Sequence, residues 1–160
     1  MDIRQSVFRA YDIRGMYPTE INEEFAYRLG RAFILFLREI QKSTPHSILV
    51  NRDARSSSAP LYLALLQGIA DEGVTAYDGD ISTTPMHYFG VGTFNVDGGI
   101  MVTPSHGPVG MTGFKISTKS ARIASDTGLP DIYERMNTSF APPKKQLPSQ
   151  KLSMLPQYVN

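Results

Sequence analysis

The sequence GIMVTPSHGPVGMTGFKI occupies residues 99–116 and joins two apolar runs through one loop. The runs at 99–103 and 114–116 are short and bounded by turn residues, a pattern typical of buried strands. The loop between them is rich in glycine and proline and leaves no room for a crossover helix. Strands joined in this way lie antiparallel, so this stretch predicts an antiparallel pair within a sheet.

Outside this pair the pattern alternates between helices and strands. Asn22, followed by two glutamates, predicts a helix start, and apolar residues then recur at helical spacing as far as Ile40. Ser57 or Ser58 is predicted to cap a second helix, which Gly73 ends. The alternation predicts an α/β fold, a single domain with a mixed β-sheet and helices on both faces. The other predicted elements are strands at 47–50 and 74–77 and short helices at 84–89 and about 130–136.

The composition limits what the chain can bind. At 160 residues it has the size of one ordinary domain, and 41% hydrophobic residues are enough for a core. A net charge of +1 argues against a nucleic-acid or membrane-surface binder, because such proteins carry a concentrated positive field. Arg28, Arg31 and Arg38 interrupt the most apolar stretch and exclude a membrane span there. With no cysteine and no visible secretory signal, a cytoplasmic location is expected.

The character of the sequence changes after Asn137. Four prolines are spread there among lysine, glutamine and serine with little periodicity, which is typical of a linker. Residues 1–137 are therefore predicted to form the α/β domain, and residues 138–160 a proline-rich linker.

The loop after the strand at 99–103 carries the first candidate for chemistry. Open α/β sheets bind ligands at the carboxyl ends of their strands, where this loop begins. Ser105 and His106 are adjacent there, and Lys115 follows beyond the loop, so the serine could act as a nucleophile or as a phosphate carrier. From these residues alone, an ordinary turn with a solvated serine–histidine pair is the simpler interpretation.

Two further segments carry arginines suited to anions. In the short extended run 8–15, Arg14 could make bidentate phosphate contacts, although a solvated arginine on an edge strand is the simpler interpretation. In the segment 50–58, backbone N–H groups at a helix start and the charge of Arg55 could bind an anion. The structural alternative there is that Asp53 pairs with Arg55 and orders the loop.

Other patterns in the sequence give weaker evidence for a functional site. Asp78-Gly79-Asp80 offers two carboxylates without further ligands, so a turn after a strand is the preferred interpretation. Gly90-Val91-Gly92 lacks the third glycine of a dinucleotide fingerprint and is interpreted as a helix end. His46 and His87 show no metal-ligand spacing and are interpreted as structural or surface residues. A serine hydrolase is disfavoured because Thr103 stands where the nucleophile elbow requires glycine.

In combination, these segments resemble the alpha-D-phosphohexomutase family, the phosphomannomutases and phosphoglucomutases. FRAYDIRG at residues 8–15 looks like the family's N-terminal signature, and DARSS at 53–57 looks like the loop after its next strand. Thr84-Pro85 looks like its threonine–proline turn, and 103–115 looks like its phosphoserine loop. Order and spacing also agree across roughly residues 6–137, which resemble the N-terminal domain I.

The resemblance implies an isomerase, an intramolecular phosphotransferase that interconverts hexose 1-phosphates and 6-phosphates. Ser105 would be the catalytic phosphoserine, and the reaction would pass through a hexose bisphosphate. Lys115, Arg14 and His106 would also be catalytic, and Tyr11 would join Arg14 and Lys115 in contacting the substrate. The implied supporting residues are Asp12, Asp53, Arg55 and Ser57.

The resemblance also implies cofactors and partners. Mg²⁺ would bind Ser105 through its phosphate, with the other ligands outside this chain, and glucose 1,6-bisphosphate or a similar hexose bisphosphate would be the activator. Family members carry three further domains, so domains II–IV of a longer parent are the implied partners, with a hexose phosphate as substrate and neither nucleic acid nor membrane. Residues 155–160 resemble the start of domain II. A truncated chain with little turnover of its own is therefore expected, and a non-catalytic phosphosugar-binding or phosphoprotein module is the alternative.

The phosphoserine loop departs from the family pattern at Gly107 and Thr112. The family usually has asparagine at both positions, directly after the serine–histidine pair and directly before Gly-Phe-Lys. Each change removes an amide that could fix the loop, and Gly107 adds backbone freedom. These two changes leave the order of the loop, and with it the rate of turnover, open, whereas the assignment of Ser105 as the nucleophile does not depend on them.

Overall fold

The structure is a computed structural model and describes residues 3–120, 123, 126–141 and 149–159. The strands in these residues are β1 (Ile13–Met16), β2 (Ser47–Arg52), β3 (Thr75–Ile81), β4 (Gly98–Val102), β5 (Met111–Thr118) and β6 (Ser149–Lys151). The helices are α1 (Glu23–Gln41), α2 (Ser58–Asp71), α3 (Thr84–Thr93), α4 (Leu129–Met136) and α5 (Leu155–Tyr158). None of these described helices combines the length and the hydrophobicity that a membrane span requires.

The six strands form one mixed sheet in the order β1-β5-β4-β2-β3-β6. β2 is parallel to both β3 and β4, and β3 is parallel to β6. β5 is antiparallel to both β4 and β1, and Ile100 of β4 lies opposite Ile116 of β5. The predicted antiparallel pair and the predicted mixed sheet are both confirmed.

Helices cover both faces of the sheet, as predicted. Ile48 and Val50 of β2 belong to the larger core cluster, together with buried residues of α1, α2 and α4. Leu49, which lies between them, packs instead with Val91 of α3 and with Met154 in a smaller cluster. Successive side chains of a strand point to opposite faces, so a strand covered on both sides carries apolar residues at consecutive positions, as residues 48–50 do.

Of the two predicted helix caps, one is confirmed. Oδ1 of Asn22 accepts a hydrogen bond from the N–H of Phe25 at 3.0 Å and caps α1. The predicted serine cap of α2 is wrong, because Ser57 makes no capping bond through its side chain. Ser58 is the first helical residue and donates its hydroxyl to Oδ1 of Asp53 at 2.5 Å. An ionised acceptor makes the stronger hydrogen bond, so the upstream carboxylate holds this hydroxyl.

The segment 78–80 lies inside β3 and not in a turn after it, which corrects the interpretation from the sequence. Oδ1 of Asp78 accepts hydrogen bonds from the hydroxyl of Tyr62 and from the N–H of Asp80. Asp80 has a φ of 47°, and the register between β2 and β3 shifts beside it. The turn-like residues therefore produce an irregular strand end.

Residues 149–159 lie against the same sheet. β6 pairs with β3, with Gln150 opposite Tyr77, and Met154 is buried in the smaller core cluster. The predicted linker at 138–160 therefore contains a strand of the domain, whereas its central residues, 142–148, lie outside the described residues.

α1 and α2 cross closely at Gly68. An added Cβ on Gly68 would lie 2.2 Å from the carbonyl oxygen of Tyr27 in the facing helix. Gly68→Ala is therefore expected to force the helices apart and to lower the free energy of unfolding by about 1–3 kcal/mol, as overpacking does. Urea denaturation followed by circular dichroism measures this change.

Gly92→Ala is the matched control for that substitution. Gly92 lies in α3, and no atom of the residues that the structure describes lies within 4 Å of an added Cβ. Because alanine is the better helix former, the free energy of unfolding of this variant should rise by about 0.5–1 kcal/mol. Equal effects of the two substitutions would contradict a close crossing at Gly68.

Candidate active site

An open cavity of about 700 Å³ lies where β2 and β4 end. Ser105, His106, Lys115 and Asp53 all line it, together with the start of α3. Ligands of open α/β sheets commonly bind at the carboxyl ends of the strands, and this cavity occupies that position. The sheet thus brings three separate sequence segments to one place.

Ser105 is held in a left-handed backbone conformation with a φ of 60°. Its N–H donates to Oγ1 of Thr103 at 3.1 Å, and its Oγ lies 3.2 Å from Nδ1 of His106. This conformation costs a residue with a Cβ about 1–2 kcal/mol, so the surrounding loop must hold it in place. Strain of this kind clusters at functional sites. The hydroxyl is therefore held on a fixed backbone with an imidazole nitrogen beside it.

Lys115 and Arg14 share the carboxylate of Asp12. Oδ2 of Asp12 accepts hydrogen bonds from Arg14 Nε at 2.9 Å and Nη2 at 2.7 Å, and from Lys115 Nζ at 3.4 Å. The pairing of β1 with β5 explains this contact, because it sets Arg14 opposite Gly113, two residues before Lys115. Asp12 and Lys115 are both buried. One carboxylate against two cations leaves a positive charge at the cavity, which suits a phosphate.

The predicted site residues are not equally close to the cavity. Lys115 lines it together with Ser105, whereas Arg14 is joined to Lys115 through their shared carboxylate and is not part of the lining. Tyr11 is 59% exposed and also lies outside the lining. That Arg14 and Tyr11 contact the substrate stays a prediction.

Arg55 crosses from the loop after β2 to the loop between β4 and β5. Its Nη2 donates to the carbonyl of Gly107 at 2.6 Å, and its Nη1 donates to the carbonyls of Pro108 at 3.0 Å and Met111 at 3.4 Å. Asp53 pairs with it as predicted: Asp53 Oδ2 lies 3.5 Å from Arg55 Nε, and Oδ1 accepts from the Arg55 N–H at 3.1 Å. The predicted carboxylate–guanidinium pair therefore ties two loops together.

The two residues that stand in place of asparagine are closely packed. An added Cβ on Gly107 would lie 2.8 Å from Sδ of Met111 and 2.9 Å from Cβ of Pro104, so a side chain at this position would require both neighbours to shift. Thr112 is fully buried, and its hydroxyl finds no hydrogen-bond partner within the described residues. Ser57 lines a second cavity with this loop and does not line the one that holds Ser105.

Some cavity residues were not singled out from the sequence. Ser82 and Thr83 directly follow β3, and their position after a strand was the available signal. Thr83 also caps α3, where its Oγ1 accepts from the N–H of Met86 at 3.4 Å. Tyr88 and Met101 line the cavity as well, but an aromatic residue in a helix and a methionine in a strand look like ordinary core residues in a sequence.

His87 of α3 is completely buried. Its Nδ1 lies 2.8 Å from Oδ1 of Asn51, so the residue is structural, in line with the interpretation from the sequence. Burial disfavours the imidazolium ion and lowers the pKa of His87 from 6.5 to about 4. The folded state therefore keeps this ring neutral where an unfolded chain would begin to protonate it.

The low pKa of His87 predicts a loss of stability in acid. Protons bind the unfolded chain more readily between pH 6.5 and 4, so His87 should destabilise the fold progressively over this range, by on the order of 3 kcal/mol in total. Urea denaturation at pH 7, 5 and 4 measures the effect. His87→Gln should show a flatter pH dependence over this interval, and an unchanged dependence would contradict the assignment.

A complete metal site is not formed by the residues that the structure describes. Among them, no three histidine, aspartate or glutamate side chains lie close enough together to hold an ion. Asp53 offers a carboxylate on the cavity wall, but Ser58 and Arg55 already bind it. Mg²⁺ prefers octahedral oxygen coordination, which this set of donors does not supply.

The mixed sheet and the cavity at its strand ends define an α/β domain in which a serine is held at a phosphate-compatible site. Residues 5–142 match the phosphoglucomutase/phosphomannomutase alpha/beta/alpha domain I. The chain belongs to the phosphoglucomutase/phosphomannomutase family, and the match covers its domain I.

Individual relatives agree with this family. A phosphomannomutase from Escherichia coli is 40% identical over 157 residues, a match that covers 96% of this chain and 33% of that protein. A phosphomannomutase from Klebsiella pneumoniae is 39% identical, and the match covers 96% of both chains. The crystal structure of a phosphoglucomutase/phosphomannomutase family protein from Burkholderia thailandensis is 32% identical, with a TM-score of 0.87, over 99% of this chain and 35% of that one. This chain thus spans about a third of the Escherichia coli and Burkholderia thailandensis proteins and nearly all of the Klebsiella pneumoniae protein.

Proposed function

We propose that this chain is the phosphoryl-carrying domain of a hexose-phosphate mutase and that Ser105 carries the phosphoryl group. The observation that carries the proposal is the Ser105 hydroxyl, which lies 3.2 Å from Nδ1 of His106 in a cavity that Lys115 also lines. The relatives from Escherichia coli and Klebsiella pneumoniae are phosphomannomutases, which supports a hexose phosphate as substrate.

In the proposed step, Oγ of Ser105 attacks a phosphoryl group of a hexose bisphosphate. The serine O–P bond forms while the P–O bond to the sugar breaks, and the sugar leaves as a monophosphate. His106 is the proposed acceptor of the serine proton, because its ring nitrogen is next to Oγ and can return the proton to the departing sugar oxygen. In the full cycle, phosphoserine first transfers its phosphoryl group to the free hydroxyl of a hexose monophosphate. The bisphosphate then reorients and returns its other phosphoryl group to Ser105, which interconverts the 1-phosphate and the 6-phosphate.

The charge near the cavity supports phosphoryl transfer, which depends mainly on positioning and on neutralising the phosphoryl oxygens. Lys115 is only 7% exposed, so water and salt screen its ammonium less than they screen a surface lysine. Asp12 holds Lys115 toward Arg14 and compensates one of their two charges. We assign Lys115 to the phosphoryl oxygens, and Arg14 and Tyr11 to contacts with the substrate.

Steady-state turnover is proposed to need the parts of longer relatives that this chain does not span. The chain covers 33% of the Escherichia coli phosphomannomutase, and the described residues gather no metal-binding cluster. Domains II–IV would supply the remaining Mg²⁺ ligands and the residues that select the sugar. For the 160-residue chain we therefore propose phosphate transfer from glucose 1,6-bisphosphate to Ser105 with little steady-state turnover. A cytoplasmic location is a separate part of the proposal.

Mass spectrometry after incubation with glucose 1,6-bisphosphate tests this proposal. We expect one added phosphate, located on the peptide that contains Ser105, and little conversion of glucose 1-phosphate or mannose 1-phosphate. Robust conversion would refute the predicted inactivity of the chain. Saturable phosphosugar binding without covalent phosphate would refute the carrier role and favour a non-catalytic phosphosugar-binding module.

A further inference from the structure

We propose that Arg55 is a positioning residue that holds the Ser105 loop in its reactive conformation and does not bind the substrate phosphate. This inference rests on the proposed role of Ser105 as the phosphoryl carrier. Arg55 lies outside the residues that line the Ser105 cavity, and its guanidinium reaches the loop from the side of the second cavity. It would therefore act through the backbone of the loop.

The hydrogen bonds of Arg55 account for most of its donors. Nη2 binds the carbonyl of Gly107 at 2.6 Å, Nη1 is shared by the carbonyls of Pro108 and Met111, and Nε faces Asp53 at 3.5 Å. A planar guanidinium with donors in a fixed fork can bind several carbonyls at once, which a single ammonium cannot do with the same geometry. These contacts leave little of the guanidinium for a substrate phosphate.

The loop needs such an external support because it makes few hydrogen bonds of its own. Pro104 and Pro108 have no N–H to donate. The internal backbone bonds run from the Gly107 N–H to the Pro104 carbonyl at 3.2 Å and from the Met111 N–H to the Pro108 carbonyl at 3.2 Å. Ser105 lies in the same loop with a φ of 60°, a conformation that persists only where the surroundings enforce it.

Asp53 connects this support to the sheet. It follows β2 directly, and its N–H donates to the carbonyl of Val102 at the end of β4 at 3.0 Å. Its carboxylate binds both the N–H of Arg55 and the hydroxyl of Ser58 at the start of α2. Arg55 is thus fixed at its base by two rigid elements and binds the loop with its far end.

Arg55→Met and Arg55→Lys in the 160-residue chain test this role, and Arg52→Met is the control. Arg52 is the neighbouring arginine of β2. It pairs with the exposed Asp80 and donates to the carbonyl of Asp53 at 3.5 Å, and among the described residues it does not bind the Ser105 loop. By amide hydrogen exchange, Arg55→Met should speed exchange at Gly107 and Met111 at least tenfold, with β4 unchanged. Arg55→Lys should recover part of the protection, and Arg52→Met should match the unmodified chain.

Single-turnover phosphorylation by glucose 1,6-bisphosphate gives the second readout. Arg55→Met should lower the maximal rate at least tenfold and leave the half-saturating bisphosphate concentration unchanged, because a positioning residue does not bind the ligand. A raised half-saturating concentration with an unchanged maximal rate would instead make Arg55 a phosphate ligand and overturn the inference. Unchanged loop exchange would also overturn it. Absence of phosphate on the unmodified chain would refute the proposed function, a result that is separate from the loop measurement.

Discussion

Ser105→Gly should abolish phosphate transfer to the chain and, at the same time, make the fold more stable. Glycine removes the hydroxyl that is proposed to carry the phosphoryl group. It also removes the Cβ that makes the φ of 60° unfavourable at this position, which should raise the free energy of unfolding by about 1 kcal/mol. A gain in stability together with a complete loss of phosphate transfer is the expected result.

Ser105→Ala is the matched variant for this prediction. Alanine lacks the hydroxyl but keeps the Cβ, so phosphate transfer should be lost without the gain in stability. Mass spectrometry measures the phosphate, and urea denaturation measures the free energy of unfolding. If both variants had the same stability, the backbone at Ser105 would not be strained. If either variant still accepted phosphate, Ser105 would not be the carrier.

Asp12→Ala should strongly destabilise the fold. The buried carboxylate binds Lys115 and Arg14, and its removal leaves the buried ammonium of Lys115 without its acceptor. Breaking a buried pair in this way costs about 3–5 kcal/mol, because an uncompensated charge remains inside the protein. For a domain of this size the melting temperature falls by about 2–4 °C for each kcal/mol lost. Thermal unfolding followed by circular dichroism measures the shift.

Glu39→Ala is the control for a carboxylate that lies on the surface. Glu39 pairs with Arg135, but its side chain is 71% exposed, and exposed ion pairs contribute only about 0–1 kcal/mol. Asp12→Asn keeps the size of the side chain and should be less harmful than Asp12→Ala, so it remains measurable if the alanine variant does not fold. Similar small effects at positions 12 and 39 would contradict the buried cluster.

The fold was largely predictable because its signals are local. The stretch 99–116 specifies two apolar strands and a loop too short for a helix, which is enough to predict an antiparallel pair. The caps were less predictable, since a serine at a helix start can accept a hydrogen bond from a backbone N–H or donate one to a nearby carboxylate. Ser58 donates to Asp53, and only the folded loop shows that this carboxylate is within reach. β6 could not be predicted, because its short polar sequence is a strand only through pairing with β3.

The candidate site was predictable in its residues more than in their arrangement. The family resemblance singled out Ser105, Lys115 and Arg14, but not the shared carboxylate through which Arg14 reaches Lys115. The sequence shows Arg55 only as a positive charge beside a helix start. Its three bonds to backbone carbonyls could not be inferred, because they depend on how two loops far apart in the sequence approach one another. Long-range pairing determines these features, and a single sequence contains no direct signal for it.

The shared carboxylate of Asp12 also has a kinetic consequence. It compensates one of the two cations it binds, and the chain as a whole has a net charge of only +1, so little electrostatic field extends beyond the protein surface. The proposed ligand, a hexose phosphate, would therefore arrive by ordinary diffusion, at a rate that depends weakly on ionic strength. Once inside, it would meet an ammonium that dissolved salt screens poorly. The association rate and the dissociation rate of the ligand would therefore both change little with salt concentration.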